Sequence, residues 1–218
     1  MNNPIFITGI GTGVGKTLIS AIVTEALAAD YWKPVQAGYV DGTDTMTIQS
    51  LLNNTVSIVH PELYRLQTPA SPHIAARIDK IEINIDTITQ TASTILDSIA
   101  PKQLVIEGAG GLLVPLTDSL MVADLVKALN AKVILVSRNY LGSINHSLLT
   151  AAYCRSNGID VAGWIFNDDY MNYENEIVNW SDYPSIASVP KLATINKATI
   201  SAEAIRIKRS LLDKLNLS

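Results

Sequence analysis

Residues Thr8-Gly9-Ile10-Gly11-Thr12-Gly13-Val14-Gly15-Lys16-Thr17 stand between an apolar run and a helix-like stretch, where a loop that grips a phosphate chain belongs. Glycines 11, 13 and 15 let backbone N–H groups turn inward around an anion, and the following helix aims its positive dipole end at the same point. Thr12, Gly13, Val14 and Gly15 form the cradle, Lys16 supplies a fixed charge for the β- and γ-phosphates, and Thr17 offers a hydroxyl to Mg²⁺. The spacing is one residue longer than the common phosphate loop, because Ile10 stands where the first glycine is required and Gly9 precedes it.

A second acidic position follows from Leu104-Val105-Ile106-Glu107 and the glycine-rich Gly108-Ala109-Gly110-Gly111 behind it. A carboxylate at the carboxyl end of a buried strand faces Mg²⁺ directly or through water, or else is a plain strand-end Glu beside a turn. Asp44, in Asp41-Gly42-Thr43-Asp44-Thr45, reads either as a third metal contact or as part of an ordinary helix cap. Lys33, ahead of Pro34-Val35, reads as a solvated lysine when taken alone, and Asn167-Asp168 as a strand-end turn.

The elements that must position these residues are short β-branched runs alternating with longer helical patterns. Strands are expected at residues 5–8, 104–106, 133–136 and 161–166, with weaker ones ending near 33–35 and at 186–189. Helices are expected at about 16–29, 44–52, 86–99, 119–130, 144–157, 172–180 and 201–216. Near-continuous hydrophobicity in the strands requires cover on both faces, so the fold class is α/β: a mainly parallel sheet between two helical layers, in one domain over residues 1–218. Residues 53–85, with Pro61, Pro69 and Pro72, read as an excursion from that sheet.

Composition narrows the function classes. A formal net charge of −4 and the absence of a long basic run argue against a nucleic-acid surface. Nowhere do enough apolar residues run together to span a bilayer, so no membrane partner is expected. The start carries no cationic leader pattern, and the single cysteine, Cys154, fits a reducing compartment; a cytoplasmic location is expected. His60, His73 and His146 have no metal-spaced companions and read as structural, as do Trp32, Trp164 and Trp180.

Taken in order, the phosphate loop, Lys33-Pro34-Val35-Gln36-Ala37-Gly38, Asp44, Ser71-Pro72-His73, Glu107 to Gly111, Gly142-Ser143-Ile144-Asn145-His146 and Trp164-Ile165-Phe166-Asn167-Asp168 resemble the dethiobiotin synthetases. The resemblance spans residues 1 to about 190 and carries with it a phosphate-loop NTPase-like three-layer sandwich. It implies a ligase that uses ATP, Mg²⁺ and CO₂ to close a ureido ring on 7,8-diaminopelargonic acid. It further implies that Lys33 and Lys16 are catalytic and that Thr17, Asp44 and Glu107 hold the metal. Gly108, Ala109 and Gly110 would line the nucleotide, Asn167 and Asp168 would read the base, and Val189, Pro190 and Lys191 would close its other side.

In the same family the segment matching Gly142, Ser143 and Asn145 reaches across a homodimer interface to the substrate carboxylate, although Ser143 and Asn145 also suit helix caps. Two positions depart from the pattern: Gly13 stands where many members have an acid, and Ala37, a substrate-facing position, where many have Ser. Two other functions remain compatible with the loop: a partitioning-type ATPase switch, whose membrane-touching tail the mildly amphipathic C-terminal helix would supply, and a nucleotide-binding paralogue without turnover. A related amidoligase would need a glutaminase domain for which 218 residues leave no room.

Overall fold

Parallel strands buried on both faces need a helical layer above and below, and the computed structural model, which describes residues 3–217, has that arrangement. In chain order the elements are β1 (Ile5–Gly9), α1 (Lys16–Leu27), β2 (Asp30–Trp32), β3 (Val35–Ala37), α2 (Asp44–Leu51), β4 (Val59–His60), β5 (Tyr64–Leu66), α3 (Pro72–Asp79) and α4 (Ile85–Ile99). The order continues with β6 (Leu104–Glu107), α5 (Val122–Ala128), β7 (Lys132–Arg138), α6 (Ser143–Ser156), β8 (Val161–Asn167), α7 (Glu174–Ser181), β9 (Ser185–Val189) and α8 (Lys197–Leu215). Seven strands form one parallel sheet in the order β4-β2-β6-β1-β7-β8-β9.

Alternation along each strand divides the core between the two faces. Ile5, Ile7, Tyr31, Val105, Ile134, Val136 and Ile165 pack with buried residues of α1, α2 and α8. Phe6, Trp32, Leu104, Ile106, Leu135, Trp164 and Phe166 pack with those of α4, α5 and α6. The three-layer sandwich expected from the sequence is therefore present. Because all strands of the sheet run one way, Gly9, Glu107, Arg138, Asn167 and Val189 end along a single rim.

Several elements differ from expectation for local reasons. The weak strand near 33–35 is two strands: β2 stops at Trp32, and β3 begins past Pro34, which has no N–H for a ladder, and pairs with β5 in a separate two-stranded sheet. Residues 53–85 are only partly an excursion, since β4 joins the main sheet as its edge beside β2. The helix expected at 119–130 spans only Val122–Ala128, because the N–H groups of Leu116 and Thr117 both donate to the Leu120 carbonyl, at 2.8 and 3.1 Å, and form a turn there. The helix expected from residue 172 begins at Glu174, after Met171 and Asn172 at φ 57° and 49°.

The C-terminal helix is amphipathic for a core, not for a lipid surface. Ile200, Ala204, Ile207, Leu211 and Leu215 are all buried on one stripe of α8, in the same apolar cluster as Ile19, Ile22 and Ala26 of α1. Asn196 caps α8 by accepting from the Thr199 N–H at 3.0 Å, while the Thr199 hydroxyl accepts from the Asn196 N–H at the same distance. Among the described residues, no helix is long and apolar enough to cross a membrane.

Candidate functional site

Strand register brings the two ends of the site together. In the parallel pair β2–β6, Tyr31 lies beside Val105, so two residues further on Lys33 and Glu107 emerge side by side on the face covered by α1. Lys33 is 5% exposed and Glu107 1%, which removes the solvated-lysine reading. The Lys33 ammonium donates to Glu107 Oε1 at 3.2 Å and also to Asp44 Oδ2. Asp44 reaches this point from the first turn of α2, whose cap is Thr43: the Thr43 hydroxyl accepts from the Met46 N–H at 3.2 Å. Capping is thus done by the neighbour, and the Asp44 side chain is turned to the site.

Thr17, at the start of α1, completes the cluster. Its hydroxyl lies 2.8 Å from Asp44 Oδ1 and 3.0 Å from Glu107 Oε1. One hydroxyl proton cannot serve both carboxylates at once, so the three oxygens converge with fewer protons than contacts. Such a set of hard oxygen donors fits Mg²⁺, which takes few protein ligands and keeps several waters. Thr17, Asp44 and Glu107 were the metal residues expected, and the structure brings them together.

The loop itself is closed by its own lysine, Lys16 Nζ donating to the Gly11 carbonyl at 2.9 Å. Gly15 sits at φ 94°, and a Cβ there would lie 2.1 Å from the Asn167 amide nitrogen, so this position needs glycine on both counts. Asn167 donates that amide to the Val14 carbonyl at 2.9 Å, tying the end of β8 to the loop. Gly111 packs on the loop from the other side, where a Cβ would come within 3.0 Å of the Gly9 carbonyl oxygen. Thr12 and Gly13 are exposed at the mouth.

Electrostatics sets two lysines against two carboxylates. Burial pushes the Lys16 ammonium down to about 8, with Glu107 and Asp44 opposing that shift and Lys33 adding to it. Burial also works against the charge on Lys33, but the adjoining Glu107 and Asp44 outweigh it and hold this lysine above its ordinary value. For Asp44 burial opposes ionisation, yet the contact with Lys33 prevails and its carboxyl lies below the usual range. The cluster sets two cationic side chains against two acidic ones, with Lys33 and Asp44 each favouring the charged form of the other.

The remaining expected residues are spread along the rim. Asp168, at φ 77°, donates its N–H to the Val189 carbonyl at 2.9 Å, and with Arg138, Asn139 and Lys191 it lines an open pocket of about 550 Å³ beyond Asn167. Pro190 is exposed where β9 ends. Gly108, Ala109 and Gly110 follow Glu107 beside the loop. Ala37 lies in β3, away from the main sheet. Gly142, not Ser143 or Asn145, caps α6, at φ 104°; Ser143 is buried and accepts from the Tyr140 N–H at 3.3 Å, while Asn145 is exposed.

Two residues with a place here were missed in the sequence. Tyr31 is fully buried and donates its hydroxyl to Glu107 Oε2 at 2.9 Å, and Gln36 accepts from the Asp44 N–H at 3.3 Å. The signal for Tyr31 was its position two residues before Lys33 on an extended strand, which puts both side chains on one face. His146, given a structural role, contacts the Tyr140 hydroxyl through Nδ1 at 2.7 Å.

The AAA domain family model (AAA_26) matches residues 3–199. The ATP-dependent dethiobiotin synthetase BioD of Cytophaga hutchinsonii is 47% identical over 204 residues, covering 93% of this chain and 95% of that protein. The protein of the same name from Nitrobacter hamburgensis is 40% identical over 201 residues, covering 92% of both chains. Among solved structures, the Aquifex aeolicus MinC:MinD cell division protein complex matches with a TM-score of 0.61 at 14% identity, covering 99% of this chain and 94% of that one. The Pyrococcus horikoshii septum site-determining protein MinD, complexed with Mg-ADP, matches with a TM-score of 0.58 at 13% identity, covering 99% and 95%. At such identities the likeness to the two MinD structures concerns the fold alone.

Proposed function

The chain belongs to the dethiobiotin synthetase family, and from that premise we propose that it closes a ureido ring on 7,8-diaminopelargonic acid, using CO₂ and ATP. As a member of this family it is an ATP-dependent ligase that forms C–N bonds. The observation that carries the finer reading is Lys33, a buried ammonium held between Asp44 and Glu107, the two carboxylates that also contact Thr17 at the end of the phosphate loop.

The chemistry explains the need for that charge. One amine of the diamine takes up CO₂ as a carbamate, whose carbon is a poor electrophile because it already shares a negative charge. Transfer of the γ-phosphoryl group to a carbamate oxygen gives a carbamic–phosphoric anhydride. The second amine then attacks the carbon, the C–O bond to phosphate breaks, and inorganic phosphate leaves as the five-membered ring closes. Each step gathers negative charge on phosphoryl and carbamate oxygens, so the protein contributes chiefly fixed positive charge and orientation.

In this scheme Lys16 faces the β- and γ-phosphates within the cradle of Thr12, Gly13, Val14 and Gly15. Lys33 bridges the carbamate and the transferring phosphoryl group. Thr17, Asp44 and Glu107 would hold Mg²⁺, which supplies charge neutralisation across the phosphates. Asn167, Asp168, Val189, Pro190 and Lys191 bound the base, with Gly108, Ala109 and Gly110 alongside. Gly142, Ser143 and Asn145 receive the substrate carboxylate near a homodimer interface, and Ala37 leaves a substrate-facing position without a hydroxyl.

Incubation of the purified protein with the diamine, ATP, Mg²⁺ and labelled bicarbonate is expected to place label in a cyclic urea with one phosphate released per ring. Nucleotide binding without labelled product would remove this reading and leave the inactive paralogue. The partitioning-type switch is disfavoured by α8, whose apolar stripe is spent on the core.

A further inference from the structure

The hydroxyl of Tyr31 has no part in the scheme above, yet it is placed with care. Tyr31 is 0% exposed and donates to Glu107 Oε2 at 2.9 Å, while Glu107 Oε1 takes the contacts from Thr17 and Lys33 at 3.0 and 3.2 Å. The two oxygens of one carboxylate are therefore divided, one turned into the wall of the sheet and one toward the cluster. Packing alone does not call for the hydroxyl, since a phenylalanine ring fills nearly the same volume among Ile7, Val105 and their neighbours.

We propose that Tyr31 is a positioning residue that confines Glu107 to one-oxygen coordination and so makes the cation site prefer Mg²⁺ over Ca²⁺. The proposal rests on the reading that Thr17, Asp44 and Glu107 hold the divalent cation. Mg²⁺ demands octahedral geometry with short bonds and takes carboxylates through single oxygens. Ca²⁺ takes more oxygens at longer distance and gains from two-oxygen carboxylates. Swinging Glu107 Oε2 toward a cation would strip a fully buried phenol of its acceptor, with the surrounding apolar side chains unable to replace it. The hydrogen bond thus excludes the coordination mode from which Ca²⁺ gains most. Removing an outer partner of this kind typically costs roughly 10–100-fold in metal affinity.

The test uses the full chain with the β,γ-imido analogue of ATP and Mn²⁺, with free Mn²⁺ read by electron paramagnetic resonance while Mg²⁺ or Ca²⁺ displaces it. In Tyr31→Phe the ratio of Mg²⁺ to Ca²⁺ affinity is expected to fall by roughly tenfold or more. An unchanged ratio in a folded variant overturns the role of Tyr31. Glu107→Gln separates the two levels: Mn²⁺ bound as in the wild type would mean the cluster is not the cation site, and both readings fall. A second measurement does not depend on Tyr31→Phe folding. Infrared difference spectra of wild-type protein carrying carbon-13 glutamate, assigned with Glu107→Gln, should show a one-oxygen carboxylate with either cation. A two-oxygen signature for wild-type Glu107 with Ca²⁺ would overturn the proposal.

Discussion

A lysine sealed between two carboxylates is held by them as much as it serves them, and this has measurable consequences. Lys33→Met removes the cation while keeping most of the stem, leaving Asp44 and Glu107 facing one another, so folding stability should drop by about 3 kcal/mol. Added Mg²⁺ should restore part of that loss in the variant and much less in the wild type, as read by urea unfolding with and without the metal. Turnover should fall by roughly 10²–10³-fold, the usual cost of removing one electrostatic stabiliser; near-normal turnover would reassign the catalytic charge. Cys154 gives the opposite kind of prediction. Burial pushes its thiol up to about 12, so iodoacetamide at pH 8 should leave the native protein unlabelled and label it fully after unfolding, as read by intact mass. Native labelling would mean that the packing around α6 opens readily. At this scale the phosphate loop was legible, because Gly-Lys-Thr between an apolar strand and a helix has few other uses, whereas Glu107 was legible as a strand-end acid that also suited a plain turn. Lys33 was legible only through the family resemblance; the i, i+2 spacing puts Tyr31 on the same face as Lys33, but its contact with Glu107 was not legible, because nothing in a sequence shows which strand will lie beside which.

The element that ties the site to the rest of the fold is α8. Its stripe packs in the same apolar cluster as α1, the helix that begins with Lys16 and Thr17. Ile207→Ala, at a fully packed position, should cost about 2–4 kcal/mol. Asn196→Ala, which removes only the cap, should cost about 1 kcal/mol. Urea titrations of both variants check the order; equal losses would mean that the stripe is not the main contact. Long periodic elements such as α4 and α8, and strands with an apolar run such as β7 and β8, were readable because burial on a helix face or in a doubly covered sheet writes itself into the spacing. The two-residue β4 was not, and the three-residue β2 was read only as a weak strand without its break from β3, since their ladder bonds depend on partners far away in the chain, Leu104 to Ile106 for β2. The boundary of α5 was obscured for a related reason: Thr117 and Leu120 make a turn whose hydrogen bonds no hydrophobic period records.

For the whole molecule, the puzzle is how a chain with net charge −4 and pI near 5.3 binds a polyanion. Local placement answers it, since two lysines stand at the rim of the sheet, but Asp44 and Glu107 cancel both, so the loop meets bare ATP with little charge in its favour beyond the backbone and the helix dipole. A divalent cation on the carboxylates changes this balance by two units at the point where the phosphates arrive. Metal and nucleotide should therefore stabilise the fold together far more than the sum of their separate effects. At Mg-ATP about 100 times above its dissociation constant the gain is about 2.7 kcal/mol. For a chain of 218 residues that corresponds to a rise in melting temperature of roughly 5–10 °C. ATP with EDTA, or Mg²⁺ alone, should each give a small fraction of that rise in differential scanning fluorimetry. Lys16→Ala should lose most of the joint effect while melting near the wild-type temperature in the absence of ligand, because burial of its charge is itself unfavourable. Full stabilisation by ATP in EDTA would show instead that the carboxylates do not oppose the nucleotide, and that the lysines act on the phosphates without a metal between them.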